Sequence, residues 1–402
     1  MPLQYPHLLT HRGLVLVADI LVLDAEQRSA LAVTRALGQQ NLRVVTADCV
    51  SPTLAGSSKY SLANRVYPDP YETPLEFLDW FQSEVEQNSV RMVFPMTEVT
   101  TDLVMRHRHR WPNVTLPFAD ITTIDALADK IRLHQRASEL GIAIPPTHYL
   151  DSPEAAQALL PSLQFPVVLK PYRSRIWLSD RWLATAVQIV HDESEYRRWI
   201  AVEPFKTHPY MVQGFIQGEG QGVFALYNQG QPQFFFAHRR LRERPPSGGV
   251  SVWSESALPN PALQHAAETL LTDAKWHGVA MVEFKVAPDG TPYLMEINTR
   301  FWGSLQLAID AGANFPYALY QMASGQPVTP AQIKAGVRLR WLLGDVDNLY
   351  LTLKERRYSF LHKLLVLLRF FKPDFFHTKH EIDRMNDLRP AWYELKRYFS
   401  GN

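Results

Sequence analysis

Met281-Val-Glu283-Phe-Lys-Val-Ala-Pro-Asp-Gly290-Thr-Pro-Tyr-Leu-Met-Glu296-Ile-Asn298-Thr-Arg300-Phe-Trp-Gly303 places acidic residues in two apolar runs on either side of a turn. An apolar run carrying Glu283, a turn at Pro288-Asp289-Gly290 and a second run ending in Glu296-Ile297-Asn298 predict a β-hairpin. Side chains alternate along a strand, so Glu296 and Asn298 share a face, and pairing across the hairpin can set Glu283 beside them. Two carboxylates and an amide oxygen are hard ligands with room to spare, which suits Mg²⁺ held against nucleotide phosphates. Arg300 follows at the same alternation, where a guanidinium fork grips a phosphate or carboxylate. Acidic residues on an exposed hairpin face are common, and the two glutamates alone favour a plain solvated sheet.

Working outward changes that balance. Phe165-Pro-Val-Val-Leu-Lys170-Pro171 is an apolar strand ending in an ammonium at a sheet rim, where a triphosphate can neutralise it. Upstream, residues 124–141 read as a helix with a glycine stop that carries Lys130, followed by Ile142-Ala-Ile-Pro-Pro-Thr147. Tyr210-Met-Val-Gln213-Gly214-Phe215-Ile216-Gln-Gly-Glu219 leads into a hairpin turning at Asn228-Gln-Gly230. The basic stretch from Ala237 through His238, Arg239 and Arg240 to Gly248-Gly249 reads as a loop whose glycine pair allows close approach to an anion, with Arg239 or His238 directed at a phosphoryl group.

The word Glu296-Ile-Asn-Thr-Arg300 resembles the E-x-N-x-R metal signature of the ATP-grasp superfamily, and the order of the other motifs agrees over about three quarters of the chain. The pattern looks most like the carbamoyl-phosphate-synthase-like, predicted carboligase branch. The resemblance implies ATP as substrate and Mg²⁺, with Mn²⁺ an alternative, on Glu283, Glu296 and Asn298. It implies that Lys130 and Lys170 reach the nucleotide phosphates. It also implies that Gly214, Phe215 and Ile216 meet the adenine edge through their backbone, with Gln213 near the exocyclic amine and Glu219 near a ribose hydroxyl. Arg300, Arg239 and His238 are the expected catalytic groups. The sequence departs from the family after Lys170, where Tyr172-Arg-Ser-Arg-Ile-Trp177 stands in place of a glycine-rich flap.

Before these motifs, a strand over residues 13–24, a helix over 29–38 and a strand over 42–47 form a βαβ unit, the start of a Rossmann-like sheet lacking G-x-G-x-x-G. Thr97-Glu98, at a strand's carboxyl end, is read equally as a helix cap or as a pocket candidate. The expected architecture is α/β and α+β: a pre-ATP-grasp domain (1–120), a two-lobed ATP-grasp fold (121–210 and 211–330), and a mainly helical, basic extension (331–402).

Composition bounds the rest. The chain's 402 residues carry 41 Lys+Arg against 40 Asp+Glu, which gives no ground for nucleic-acid binding. One cysteine excludes an intramolecular disulfide and suits a reducing cytoplasm. Asp19 interrupts the apolar run near the start, favouring a buried strand over a signal peptide. Residues 361–371 are apolar with basic flanks at 354–372. Packing on the protein's own core is favoured there over a membrane surface or a protein partner, and a homo-oligomer stays open. The expected chemistry is ligation of a small carboxylate to an amine through an acylphosphate, with a nucleotide-gated scaffold or a small-molecule kinase as alternatives.

Overall fold

The computed structural model describes residues 18–179, 181–246, 248–356, 358–371 and 378–400. Positions 13–17 of the expected first strand, and Arg357, Lys372 and Pro373, lie outside them. The chain divides into two compact units: one runs to Pro117 and resumes at Asp383, the other spans Phe118–Ile382.

The first unit is a parallel sheet of β1 (Ile20–Val22), β2 (Val44–Asp48), β3 (Ser61–Val66) and β4 (Met92–Phe94), ordered β3-β2-β1-β4. Helix α1 (Arg28–Gly38) joins β1 to β2, α2 (Pro74–Gln87) joins β3 to β4, and α3 (Glu98–Arg106) follows β4. Every residue of β1 is fully buried, as expected of a strand whose sheet is covered on both faces. Thr97 caps α3 by accepting from the Thr100 N–H. The buried Asp24 carboxylate accepts from the Met96 and Thr97 amides and the Thr100 hydroxyl, tying the end of β1 to the start of α3.

The last residues return to this unit. Asp387, 2 % exposed, accepts from Arg35 Nε at 2.9 Å, Ser58 Oγ at 2.6 Å and the Lys59 N–H at 2.9 Å. Replacing Asp387 with alanine removes the carboxylate paired with the buried Arg35 guanidinium, so about 3–5 kcal/mol is lost on chemical unfolding of the full chain.

The second unit holds two lobes. Helices α4 (Ile121–Ala128) and α5 (Lys130–Glu139) precede β5 (Thr147–Leu150), α6 (Pro153–Leu159), β6 (Val167–Pro171), β7 (Arg175–Trp177), β8 (Trp182–Ala184), β9 (Gln188–Val190), α7 (Glu193–Ile200) and β10 (Tyr210–Gly214). The small antiparallel sheet is ordered β5-β10-β6-β9. Its core joins Ala156, Tyr196 and Ile200 of α6 and α7 to Leu169, Tyr210 and Val212. The stretch after Lys170 forms a separate hairpin, β7 with β8, closed by the Trp177 and Trp182 rings 5.1 Å apart.

The large lobe comprises β11 (Glu219–Asn228), β12 (Gln231–Arg244), β13 (Val250–Ala257), α8 (Pro261–Asp273), β14 (Gly278–Val286), β15 (Pro292–Asn298), α9 (Leu305–Asp310), α10 (Phe315–Ala323), β16 (Arg338–Arg340), α11 (Leu342–Lys354), α12 (Phe360–Phe370) and β17 (Thr378–His380). Its sheet order is β15-β14-β11-β12-β13-β16-β17. Phe224, Phe236, Val282 and Phe284 are all buried in its core. The basic stretch expected as a loop is strand as far as Arg244. Cross-strand partners make this tenable: Arg239 pairs with Glu255, and the Arg242 guanidinium lies 4.4 Å from the Trp253 ring centroid. The expected C-terminal extension is divided between the units, and its β16 and β17 extend the large sheet.

Candidate active site

The predicted hairpin forms as β14 and β15, with Glu283 and Glu296 as direct cross-strand partners and a bulge following Glu283. Asn298 Nδ2 lies 3.4 Å from Glu283 Oε1, so both carboxylates and the amide converge on one face. The lysines arrive from the small lobe. Asp129 caps α5 by accepting from the Ile131 and Arg132 amides, and the Lys130 N–H donates to the Tyr172 carbonyl, fastening the helix start to the chain just after Lys170. Lys130 Nζ then lies 3.4 Å from Glu296 Oε2 and donates to Ser174 Oγ at 3.0 Å. Lys170 Nζ donates to the Met295 carbonyl at 2.7 Å, one residue before Glu296.

Electrostatics separates the two acids. Burial, then repulsion from Glu296, pushes the Glu283 carboxyl up. Burial acts the same way on Glu296, but Lys130 and Lys170 outweigh it and hold that carboxyl below its ordinary value. Burial brings the Lys170 ammonium down to about 8. Two crowded carboxylates of which one resists ionisation are relieved by a bound cation. Among the described residues no group of three or more His, Cys, Asp or Glu is arranged to hold a metal. Glu283, Glu296 and Asn298 are the oxygen donors that could hold a cation, leaving the rest of its shell to phosphate oxygens and water. That donor set fits Mg²⁺ brought in with a nucleotide.

Two residues that sequence reasoning passed over complete the cluster. His134, one turn after Lys130 on α5, donates from Nε2 to the Met295 carbonyl at 3.0 Å, while Gln213 Nε2 donates to its Nδ1 at 3.1 Å. These bonds set the tautomer, and burial, reinforced by Lys170, keeps the ring neutral with its pKa down at about 4. Helical spacing from Lys130 was the available signal. The other is Arg240, whose Nη2 lies 3.6 Å from Glu283 Oε2.

Arg239 does not take the expected place. Alternation along β12 turns it to the opposite face, where it pairs with Glu255 at 2.7 Å. Replacing Arg240 with alanine lowers ATP turnover at least about tenfold, whereas Arg239→Ala stays within about twofold, in steady-state assays of both variants. His238 shares the Glu283 face, with the bare Gly222 between them in the ladder. It is buried, with Nδ1 3.3 Å from Ser304 Oγ and its pKa brought down to about 3 by burial and then by Arg240. Its Nε2 has no hydrogen-bond partner among the described residues. A cavity of about 540 Å³ opens here, lined by Gly218, Glu219, Gly220, Gly222, His238 and Arg240 among others.

Arg300 donates to the Phe301 carbonyl at 3.0 Å and helps to hold Glu296 ionised. In the hinge, the Gln213 amide nitrogen is taken by His134 and Thr147, and the Gly214 N–H by the Pro146 carbonyl. Phe215 and Ile216 lie beyond the end of β10, so their main-chain groups leave the ladder.

Lys130 on α5 and Lys170 on the small antiparallel sheet thus face carboxylates of the larger sheet, as the ATP-grasp resemblance implies. The fold is the two-lobed ATP-grasp fold, and part of the chain matches an ATP-grasp family. Residues 206–344 match the family described as ATP-grasp in the biosynthetic pathway with Ter operon. The C-terminal section of the carbamoyl phosphate synthase large chain of Methanopyrus kandleri is 25 % identical over 175 residues, 40 % of this chain and 28 % of that protein. The chain thus spans little more than a quarter of that relative's length. Among solved structures, the biotin carboxylase domain of Hydrogenobacter thermophilus 2-oxoglutarate carboxylase, in complex with MgADP, ADP and bicarbonate, matches with a TM-score of 0.62 and 14 % identity, covering 80 % of this chain and 73 % of that one. The L-amino acid ligase of Bacillus licheniformis matches with a TM-score of 0.58 and 17 % identity, covering 78 % of this chain and 77 % of that one.

Proposed function

We propose that the protein is an ATP- and Mg²⁺-dependent ligase that activates a small carboxylate as an acylphosphate and joins it to an amine or similar nucleophile, releasing ADP and phosphate. The observation that carries this reading is the Glu283–Glu296 pair with Asn298, faced by Lys130 and Lys170. Four cations, Lys130, Lys170, Arg240 and Arg300, surround two carboxylates, and that surplus of positive charge suits a triphosphate. Mg²⁺, when bound on Glu283, Glu296 and Asn298, supplies neutralisation of the charge that develops on the phosphates.

The chain's own groups do the rest. Lys170 and Lys130 would hold phosphate oxygens, and Arg240, beside Glu283, would meet the acid's carboxylate. The neutral His238, with its pKa brought down to about 3, is too weakly basic to deprotonate an amine and is suited instead to a hydrogen bond with a phosphate oxygen. The β7–β8 hairpin, linked through Ser174 to Lys130, is suited to cover the phosphates and keep water from the acylphosphate. The names of the relatives, which include an L-amino acid ligase and a carbamoyl phosphate synthase, support this class of chemistry.

The test is a screen of small carboxylates paired with amines for stimulated phosphate release, with mass spectrometry of the product. A product equal in mass to acid plus amine less water is expected. Nucleotide binding without stimulated phosphate release would favour a scaffold, and a stable phosphorylated product with no amine requirement would favour a kinase.

A further inference from the structure

Helix α12 (Phe360–Phe370) has a face that the proposed ligation does not use. Phe360, Leu361, Leu364, Leu365, Leu368 and the following Phe371 are exposed, from 40 % at Leu364 to 82 % at Phe360. At 3.6 residues per turn these six fall within an arc of about 140°, a single apolar stripe. The opposite side is anchored: the Arg340 guanidinium lies 4.3 Å from the Phe370 ring centroid and donates to the Phe370 carbonyl at 3.4 Å. Ser359 caps the helix by accepting from the His362 N–H. A helix pinned on its inner side and capped at its start holds the stripe outward.

We propose that this face is a docking surface for an anionic lipid bilayer, on which the helix lies parallel to the membrane plane. Charge selects this occupant. Residues 354–372 contain six Lys or Arg and one Glu, with Lys363 and Arg369 on opposite flanks of the stripe. Long basic chains bordering an apolar arc reach lipid phosphates while their stems stay over hydrocarbon. A second copy of the chain would set the same cations against each other. Eleven residues rise only about 16 Å, far short of a bilayer's hydrocarbon core, and among the described residues no helix is long and apolar enough to cross a membrane.

The test is flotation of the full chain with vesicles of phosphatidylcholine alone or containing one-third phosphatidylglycerol. Binding to the anionic vesicles is expected to exceed binding to neutral ones at least tenfold and to weaken strongly in 1 M salt, where the screening length falls to about 3 Å. The triple variant Leu361→Glu/Leu365→Glu/Leu368→Glu should lose vesicle binding. The charge variant Lys363→Glu/Arg369→Glu, which leaves the apolar stripe intact, should lose the preference for anionic lipid. Absence of flotation with anionic vesicles overturns the proposal, as does unchanged flotation of the triple variant. A dimer in sedimentation equilibrium that the triple variant dissociates, with no vesicle binding by the wild type, assigns the face to a second copy instead.

Discussion

Replacing Glu296 with alanine is expected to abolish ATP turnover, a fall on the order of 10³-fold. Glu296 is the ionised member of the carboxylate pair, kept so by Lys130 and Lys170. Without it, Glu283 retains only Asn298 as a neighbouring oxygen ligand, and burial already disfavours its charged form. The two lysines meanwhile lose their shared counter-charge, so nucleotide affinity should stay within about tenfold of wild type while turnover vanishes. That split separates loss of the cation's seat from loss of the fold. ADP release at the wild-type rate by Glu296→Ala would refute the assignment of Glu283, Glu296 and Asn298 to a metal.

Lys170→Met is expected to have the opposite signature, weakening nucleotide affinity at least about tenfold. It should also change the pH dependence. In the free protein burial brings Lys170 down to about 8 from 10.5, whereas phosphate oxygens favour its charged form. Affinity should therefore be level below pH 8 and fall above it, by at most tenfold per pH unit for one proton. The sign for stability follows from the same shift. Between about pH 8 and 10.5 the unfolded chain binds more protons at this position, so the free protein gains stability as pH rises through that window. Lys170→Met should flatten both trends, as read by calorimetric titration and by denaturant unfolding across that range. A fall in affinity above pH 8 that survives the substitution would assign the titration to another group.

Much of this site was legible in the linear chain because its parts obey local rules. Turn residues at Pro288-Asp289-Gly290 set the hairpin, and alternation put Glu296 and Asn298 on one face. A run that stays apolar up to Lys170 marked a strand buried on both sides and ending at a rim. The same rule applied to β12 would have chosen Arg240 over Arg239. That stretch was read as a loop because four arginines crowd it, and their strand conformation depends on Glu255 and Trp253 from β13, which no local pattern reveals.

The linear chain was enough to give the identity and order of the chemical groups: two carboxylates and an amide on one hairpin, two lysines on earlier elements, and a basic stretch between. Tertiary structure alone decided which of them meet and in what charge state. Lys130 and His134 reach the hairpin because the start of α5 is bonded to Tyr172, and the Met295 carbonyl accepts from both Lys170 and His134. The two bonds to Met295 join residues more than 100 positions apart, and the burial these contacts create turns ordinary side chains into a neutral histidine, a weakened lysine and an unequal pair of acids. Local propensity acts over a few residues, whereas desolvation and Coulomb energy depend on every neighbour in space, so the motif could be read from the chain and its electrostatics only from the fold.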